Sequence, residues 1–260
     1  MLAPLPLSED FKIWNRRWSA PYGPLFSNAI PRKYRLLPGL INLCGEFSFQ
    51  PNSDTRAYEY PWVFENVGDE DSLRIVEIGG GLSGVQFVLD KMGHEVINID
   101  PGMSARGKGW AIDGTKIGKL NRRFGTNVQL KNCFVEDANI PDESVDIVLS
   151  VSTIEHIPTD DIQTILHNVR RMLKPGGRFI LTVDLFLDVV PFTDKATNKF
   201  GANIDLKWLV SQSELKLAYG RREELYGFEE FDCNKILEKQ SEFLVANRYP
   251  VMAQTLVLEK

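Results

Sequence analysis

The stretch from Ile75 to Asp100 constrains this chain more than any other, because its spacing dictates a strand, a glycine turn, a helix and a second strand. Arg74-Ile75-Val76-Glu77-Ile78 has the apolar run of a buried strand, and Gly79-Gly80-Gly81-Leu82-Ser83-Gly84 follows as a turn. Val85, Val88, Leu89 and Met92 then recur at helical spacing, and Gly93 supplies a stop. Val96-Ile97-Asn98-Ile99-Asp100 reads as another strand, ending in a carboxylate. Glycines let the backbone turn tightly against a ligand, and the following helix aims unpaired N–H groups at the same place. Ser83 suits that helix start, where its hydroxyl can cap a backbone N–H. An acid about 20 residues past the first glycine is placed to accept from ribose hydroxyls, so Asp100 is the ribose candidate.

This unit leaves the ligand open. Gly79, Gly81 and Gly84 satisfy the G-x-G-x-x-G spacing of dinucleotide sites, so an NAD(P)-dependent oxidoreductase is one reading. A noncatalytic nucleotide-binding protein is another.

The remaining chain narrows the class. At 260 residues it can bury one substantial core with extensions. A net charge of −5 argues against wholesale phosphate-backbone binding, and the pairs Arg16-Arg17, Arg122-Arg123, Arg170-Arg171 and Arg221-Arg222 read as solvated faces or local carboxylate partners. Cys44, Cys133 and Cys233 lie far apart, which indicates neither a disulfide framework nor a zinc site. The opening Met1-Leu2-Ala3-Pro4-Leu5-Pro6 has no basic segment before an apolar run, and no stretch has the length and apolarity of a membrane span. Together these lead us to expect a cytoplasmic protein with no membrane insertion.

Along the chain, residues 1–72 are dense in aromatics and prolines without a steady period, and read as an ordered arm or lid on the main domain. Within it, Arg56-Ala57-Tyr58-Glu59-Tyr60-Pro61-Trp62 either lines a substrate pocket or anchors the arm. From Leu73, strand and helix alternate as in a parallel sheet covered on both faces. A glycine-rich connection, Gly102 to Gly109, precedes a helix from Asp113 with Ile117, Leu120 and Phe124 on one face. A third strand is expected within Val128 to Val135 and a central fourth at Val145 to Val151. Thr159 or Asp160 should cap a helix with Ile162, Ile165, Leu166, Val169, Met172 and Leu173 on one face. Lys174-Pro175-Gly176-Gly177 should end it, and a fifth strand should begin at Arg178. Beyond Asp184 the pattern predicts a helix over Asp205 to Ser211, a strand over Leu215 to Tyr219, a helix over Phe231 to Val245 and a strand over Ala253 to Leu258.

Four segments in this order resemble the successive motifs of class I S-adenosylmethionine-dependent methyltransferases, of the type-11 kind. They are Val76-Glu77-Ile78-Gly79-Gly80-Gly81, the strand-end Asp100, Val135 to Asp146, and Leu173-Lys174-Pro175-Gly176-Gly177-Arg178. The resemblance covers roughly Leu73 to Asp184. It implies an α/β fold, a Rossmann-like doubly wound, mostly parallel seven-stranded sheet with helices on both faces and an aromatic-rich N-terminal extension. Residues 73–260 would form the methyltransferase domain, with its cofactor half at 73–184 and substrate-side elements at 185–260. The cofactor would be S-adenosyl-L-methionine, leaving as S-adenosyl-L-homocysteine. By the same resemblance Glu77 would orient the methionine ammonium, and Gly79, Gly80 and Gly81 would pass beside the methionine moiety. Asp100 would hold the ribose, Asp137 the adenine amino group with Ala138 flanking the ring, and Ser150 and Val151 would present backbone groups. One departure is Ser83, which stands where the third alternate glycine is usual.

The chemistry needs no metal, because methyl transfer from a sulfonium is an in-line displacement. A hydroxyl or protonated amine acceptor does need a base. His156 follows the fourth strand at the edge where open α/β sheets bind ligands, and is the first candidate, with Glu155 beside it to orient it or meet the acceptor. Asp184 and Asp188, past the fifth strand, are acidic alternatives, whereas His94 and His167 sit outside this edge. Ser152-Thr153-Ile154-Glu155 stands where an N-P-P-Y-like tetrad would mark base or amide methylation. The expected acceptor is therefore a small or medium polar molecule, methylated on O or N, with a sugar or glycan-linked metabolite the first class considered and no nucleic acid expected. A homo-oligomer stays open, since the arm could pack on a second subunit as readily as on its own.

Overall fold

The period-two alternation of the strands sorts their side chains into two apolar layers. A computed structural model describes residues 1–106 and 109–260. Strands β1 (Arg74–Ile78), β2 (Glu95–Ile99), β3 (Gln129–Lys131), β4 (Val145–Val151), β5 (Leu173–Phe186), β6 (Lys216–Tyr219) and β7 (Val251–Glu259) form one sheet in the order β3-β2-β1-β4-β5-β7-β6. The first five run parallel, and β7 is antiparallel to both β5 and β6. The order reverses at β1, which pairs with β2 on one side and β4 on the other, so a crevice opens above its carboxyl end.

Ile75, Ile147, Leu149, Ile180 and Val257 face one layer, shared with the N-terminal residues and with helices α3 (Gly84–Lys91) and α4 (Gly114–Phe124). Val76, Val148, Phe179, Leu181 and Leu256 face the other, against α5 (Thr159–Met172) and α6 (Leu206–Ser213). Residues 1–72 carry α1 (Glu9–Trp18), several single 3-10 turns and α2 (Arg56–Val67). Tyr60, Trp62 and Val63 of α2 are almost wholly buried in the first layer, and the Ala3 N–H donates to the Ala253 carbonyl of β7 at 2.9 Å. The arm thus packs on its own core.

Local signals set the caps. Ser83 accepts from the Val85 N–H at 3.1 Å, Asp113 from Lys116 at 2.9 Å and Asp205 from Trp208 at 2.8 Å. α5 differs from expectation: its cap is Pro158, whose carbonyl accepts from Ile162, and Thr159 is already helical. The strand expected from Arg178 begins at Leu173, with Lys174 to Gly177 bulging out between the Val145–Leu173 and Ile147–Arg178 pairs. Gly176 takes φ 75° there, and the bulge is held by Lys260.

The helix expected over Phe231 to Val245 shrinks to α7 (Cys233–Glu238). The residues after it are drawn out of helix by pairing with the N-terminal segment, Phe243 bridging Pro4 and the Leu244 N–H donating to Ala3. Of the glycine-rich connection, Gly107 and Lys108 lie outside the described residues. No helix of the described residues is long and apolar enough to cross a membrane.

Candidate active site

The glycine turn after β1 is shaped by what its missing side chains admit. A Cβ on Gly79 would meet the Thr153 methyl at 2.3 Å, and one on Gly80 would meet the Glu77 carboxyl carbon at 2.7 Å. Gly79 and Gly81 take φ of 69° and 54°, open to glycine at no cost. Asp100 ties the turn to β2. One of its oxygens accepts from the Gly81 N–H at 2.9 Å and the other from Gly102 at 2.7 Å, which leaves each a lone pair for a further donor. Gln50, from the arm, accepts from Leu82 at 3.1 Å and so closes the turn from above.

A cavity of about 450 Å³ lies over this crest. Of the residues expected in the site, Glu77, Gly79, Gly80, Asp100, Val151, His156 and Asp184 line it. Gly81, Asp137, Ala138, Ser150 and Glu155 are not in its wall. The reasons are geometric. Val135–Asp137 is a 3-10 turn that swings successive side chains apart, so Glu136 lines the cavity, Asp137 is exposed and Ala138 enters the core. Ser150 alternates with Leu149 and Val151, which puts its buried hydroxyl away from the cavity. Glu155 is 3% exposed. Asp188 accepts from Asn198 at 2.7 Å in the loop after β5 and does not line the cavity. His94 accepts from Leu73 at 3.3 Å, and His167 is exposed on α5.

Electrostatically the cavity has two ends. At the β1 end, Glu77 is 1% exposed and its Oε2 has no hydrogen-bond partner among the described residues. Burial, and secondly the neighbouring Asp100, push its carboxyl up to about 8. Burial likewise raises Asp100, against the pull of its two N–H donors. Two close acids, one of them an unpartnered buried carboxyl, call for a cationic ligand.

At the β4–β5 end the arm completes the site. Arg56 of α2 bonds Glu59 and donates to the Ser152 hydroxyl at 2.6 Å, and it lies 3.8 Å from Asp184. Ser152 in turn donates to Glu59 at 2.6 Å, and Thr182 also bonds Glu59. Glu155 accepts from the Asp184 N–H at 3.2 Å, leaving its Oε2 unpartnered among the described residues. Three buried carboxyls thus share one guanidinium, and their protonation divides accordingly. Glu59 is held low by Arg56 and its hydroxyl donors despite its burial. Burial raises Asp184 to about 6, with Arg56 opposing, and raises Glu155 well above the carboxylate range, helped by Asp184. His156 places Nδ1 2.6 Å from the Phe200 carbonyl. A carbonyl only accepts, so Nδ1 carries a proton in this contact and directs Nε2 to the other side of the ring.

Sequence reading alone did not mark Gln50, Glu59, Ser152, Thr153 or Thr182 as site residues. The usable hint was Arg56 to Trp62, with one base and one acid among aromatics. Arg56 and Tyr60 line the cavity, while Trp62 is buried in the first apolar layer.

Comparison with known proteins agrees with this geometry. The methyltransferase-domain family matches residues 76–181. A tRNA N(3)-cytidine methyltransferase of Gallus gallus is 26% identical over 164 residues, covering 59% of this chain and 40% of its own length. A ubiquinone biosynthesis O-methyltransferase of Rhizobium etli is 26% identical over 140 residues, covering 54% and 50%. The chain thus spans half or less of the length of these relatives. In fold it is similar to the Burkholderia thailandensis 1,6-didemethyltoxoflavin-N1-methyltransferase, solved with S-adenosylhomocysteine bound. The TM-score is 0.55 at 13% identity, over 100% of this chain and 94% of that one. The nicotinamide reading gives way to these matches: over residues 76–181, with its crest glycines, strand-end acid and sheet order, the chain is similar to the class I S-adenosylmethionine-dependent methyltransferases.

Proposed function

We propose that this protein transfers a methyl group from S-adenosylmethionine to an oxygen or nitrogen of a small or medium polar acceptor. The observation that carries the reading is the unpartnered buried Glu77 carboxyl at one end of a cavity whose other end holds His156 and Asp184. S-adenosylmethionine, when bound, supplies an electrophilic methyl group on a sulfonium. Glu77 would pair with the methionine ammonium, and the free lone pairs of Asp100 would accept from the ribose hydroxyls. The main chain from Gly79 to Gly81 would pass beside the methionine part, with Val151 across from it. For the adenine end, the exposed Glu136 in the wall is better placed than Asp137, and Ala138 and Ser150 would contribute through the backbone alone.

On the acceptor side, Nε2 of His156 takes the proton of the attacking hydroxyl or amine, while Phe200 holds the ring. Asp184, raised by burial and by the Glu59 charge and tied to Ser152 at 3.1 Å, orients the acceptor. Asn52, Ser53, Arg56 and Tyr249 make this end of the wall polar, which supports a hydroxyl-rich, sugar-like or glycan-linked acceptor. A small molecule is favoured over nucleic acid because five of the eight paired arginines have intramolecular partners. Arg123 donates to arm carbonyls, Arg170 and Arg171 pair with Glu214 and Asp142, and Arg221 and Arg222 pair with Glu224 and Glu230.

The test is calorimetric titration with S-adenosylhomocysteine and NADH, followed by incubation of metabolite extracts with labelled methyl donor. Binding of the first compound and labelling of a small polar product are expected. Preference for NADH, or tight binding without turnover on any extract, would overturn the reading, the latter in favour of a noncatalytic binder.

A further inference from the structure

A second cavity, of about 580 Å³, opens within the arm and shares Gln50, Asn52, Asp54 and Arg248 with the main one. Its charges are the reverse of those around Glu77 and Asp100. Arg32, Arg35 and Arg248 line it against the single carboxylate of Asp54. That carboxylate is already engaged, by the Tyr22 hydroxyl and by the Asn247 N–H at 2.8 Å. Arg35 is 7% exposed, and its guanidinium donates to the Ile30 carbonyl at 2.8 Å and to the Ser48 carbonyl. Both partners are neutral, and among the described residues no carboxylate pairs with it. A buried cation held only by carbonyls lacks a counter-charge, and planar guanidinium groups match oxyanions in fork geometry. In a chain of net charge −5, this excess of cations is local to the cavity.

We propose that the second cavity binds an oxyanion, phosphoryl or carboxylate, carried by the acceptor itself. The rest of that molecule would run past Asn52 and Arg248 to reach His156. Only the identity of the carrier rests on the methyl-transfer reading; the anion site stands on the arginines.

The test is calorimetric titration of the full chain with sodium phosphate and with sodium citrate, against sodium chloride at matched ionic strength. At least one oxyanion should bind, and the stronger of the two identifies the group. Arg32→Gln and Arg248→Gln should each weaken that binding about fivefold or more. S-adenosylhomocysteine affinity in Arg32→Gln should match the wild type, because Arg32 lines only the second cavity. Equal oxyanion affinity in wild type and both variants, or none in any, would overturn the site. A labelled product from the extract assay that passes anion-exchange resin unretained would overturn the acceptor assignment. Loss of S-adenosylhomocysteine binding by the wild type would instead strike the methyl-transfer reading and leave the oxyanion result standing.

Discussion

At the scale of single residues, Glu77 and Asp100 are costly features that a cationic nucleoside would relieve. Glu77 moves from an ordinary 4.5 to about 8 on folding, so the folded protein holds a proton there that the unfolded chain gives up. Stability must therefore fall as pH rises from 4.5 toward 8, and Glu77→Gln should flatten that decline in thermal melts across the range. A bound ammonium favours the ionised carboxylate, so S-adenosylmethionine affinity should rise with pH up to about 8, by at most about tenfold per unit, and lose this slope in Glu77→Gln. Asp100→Ala should weaken S-adenosylhomocysteine by at least about 1 kcal/mol in calorimetry, and more if the turn relaxes once Gly81 and Gly102 lose their acceptor. His156→Ala should lower kcat by about 10² to 10⁴ with cofactor affinity retained; an unchanged kcat would transfer the base role to Asp184.

At the scale of elements, α2 is held to β4 and β5 by charge as much as by packing. Among the described residues Arg56 is the cation that Glu59 and Asp184 pair with, and removing it leaves these acids buried without compensation. Arg56→Ala should cost about 3 to 5 kcal/mol in denaturant unfolding, while Arg56→Gln, which keeps a donor for Ser152, should cost less. α3 meets the arm at Gly84, where a Cβ would stand 2.6 Å from the Phe47 ring. Gly84→Ala should destabilise by about 1 to 3 kcal/mol despite alanine's better helix propensity, because Phe47 is itself wedged against Trp14 and Tyr60.

At the scale of the whole molecule, residues 1–72 supply more than a third of the buried residues of one apolar layer and the Gln50 and Arg56 walls of the cavity. A chain beginning at Leu73 should therefore be insoluble or lose cooperative melting, as followed by circular dichroism. What could be read from the chain alone was whatever short-range spacing encodes. The β1-turn-α3-β2 unit, the Ser83 cap, the helix starts near Asp113 and Asp205, the apolar β4 and the strand-end Asp100 all answer to neighbours within a few residues along the chain. Tertiary structure alone decided the rest. Which of Glu136 and Asp137 faces the cavity depends on the phase of one short turn, the antiparallel docking of β7 on its register with β5, and the shortening of α7 on pairing with the N-terminal segment. The union of Arg56 with Ser152, 96 residues away, and the arginine-lined second cavity arise only when the arm folds back on the sheet, since charges that distant in sequence meet through packing and leave no periodicity to read.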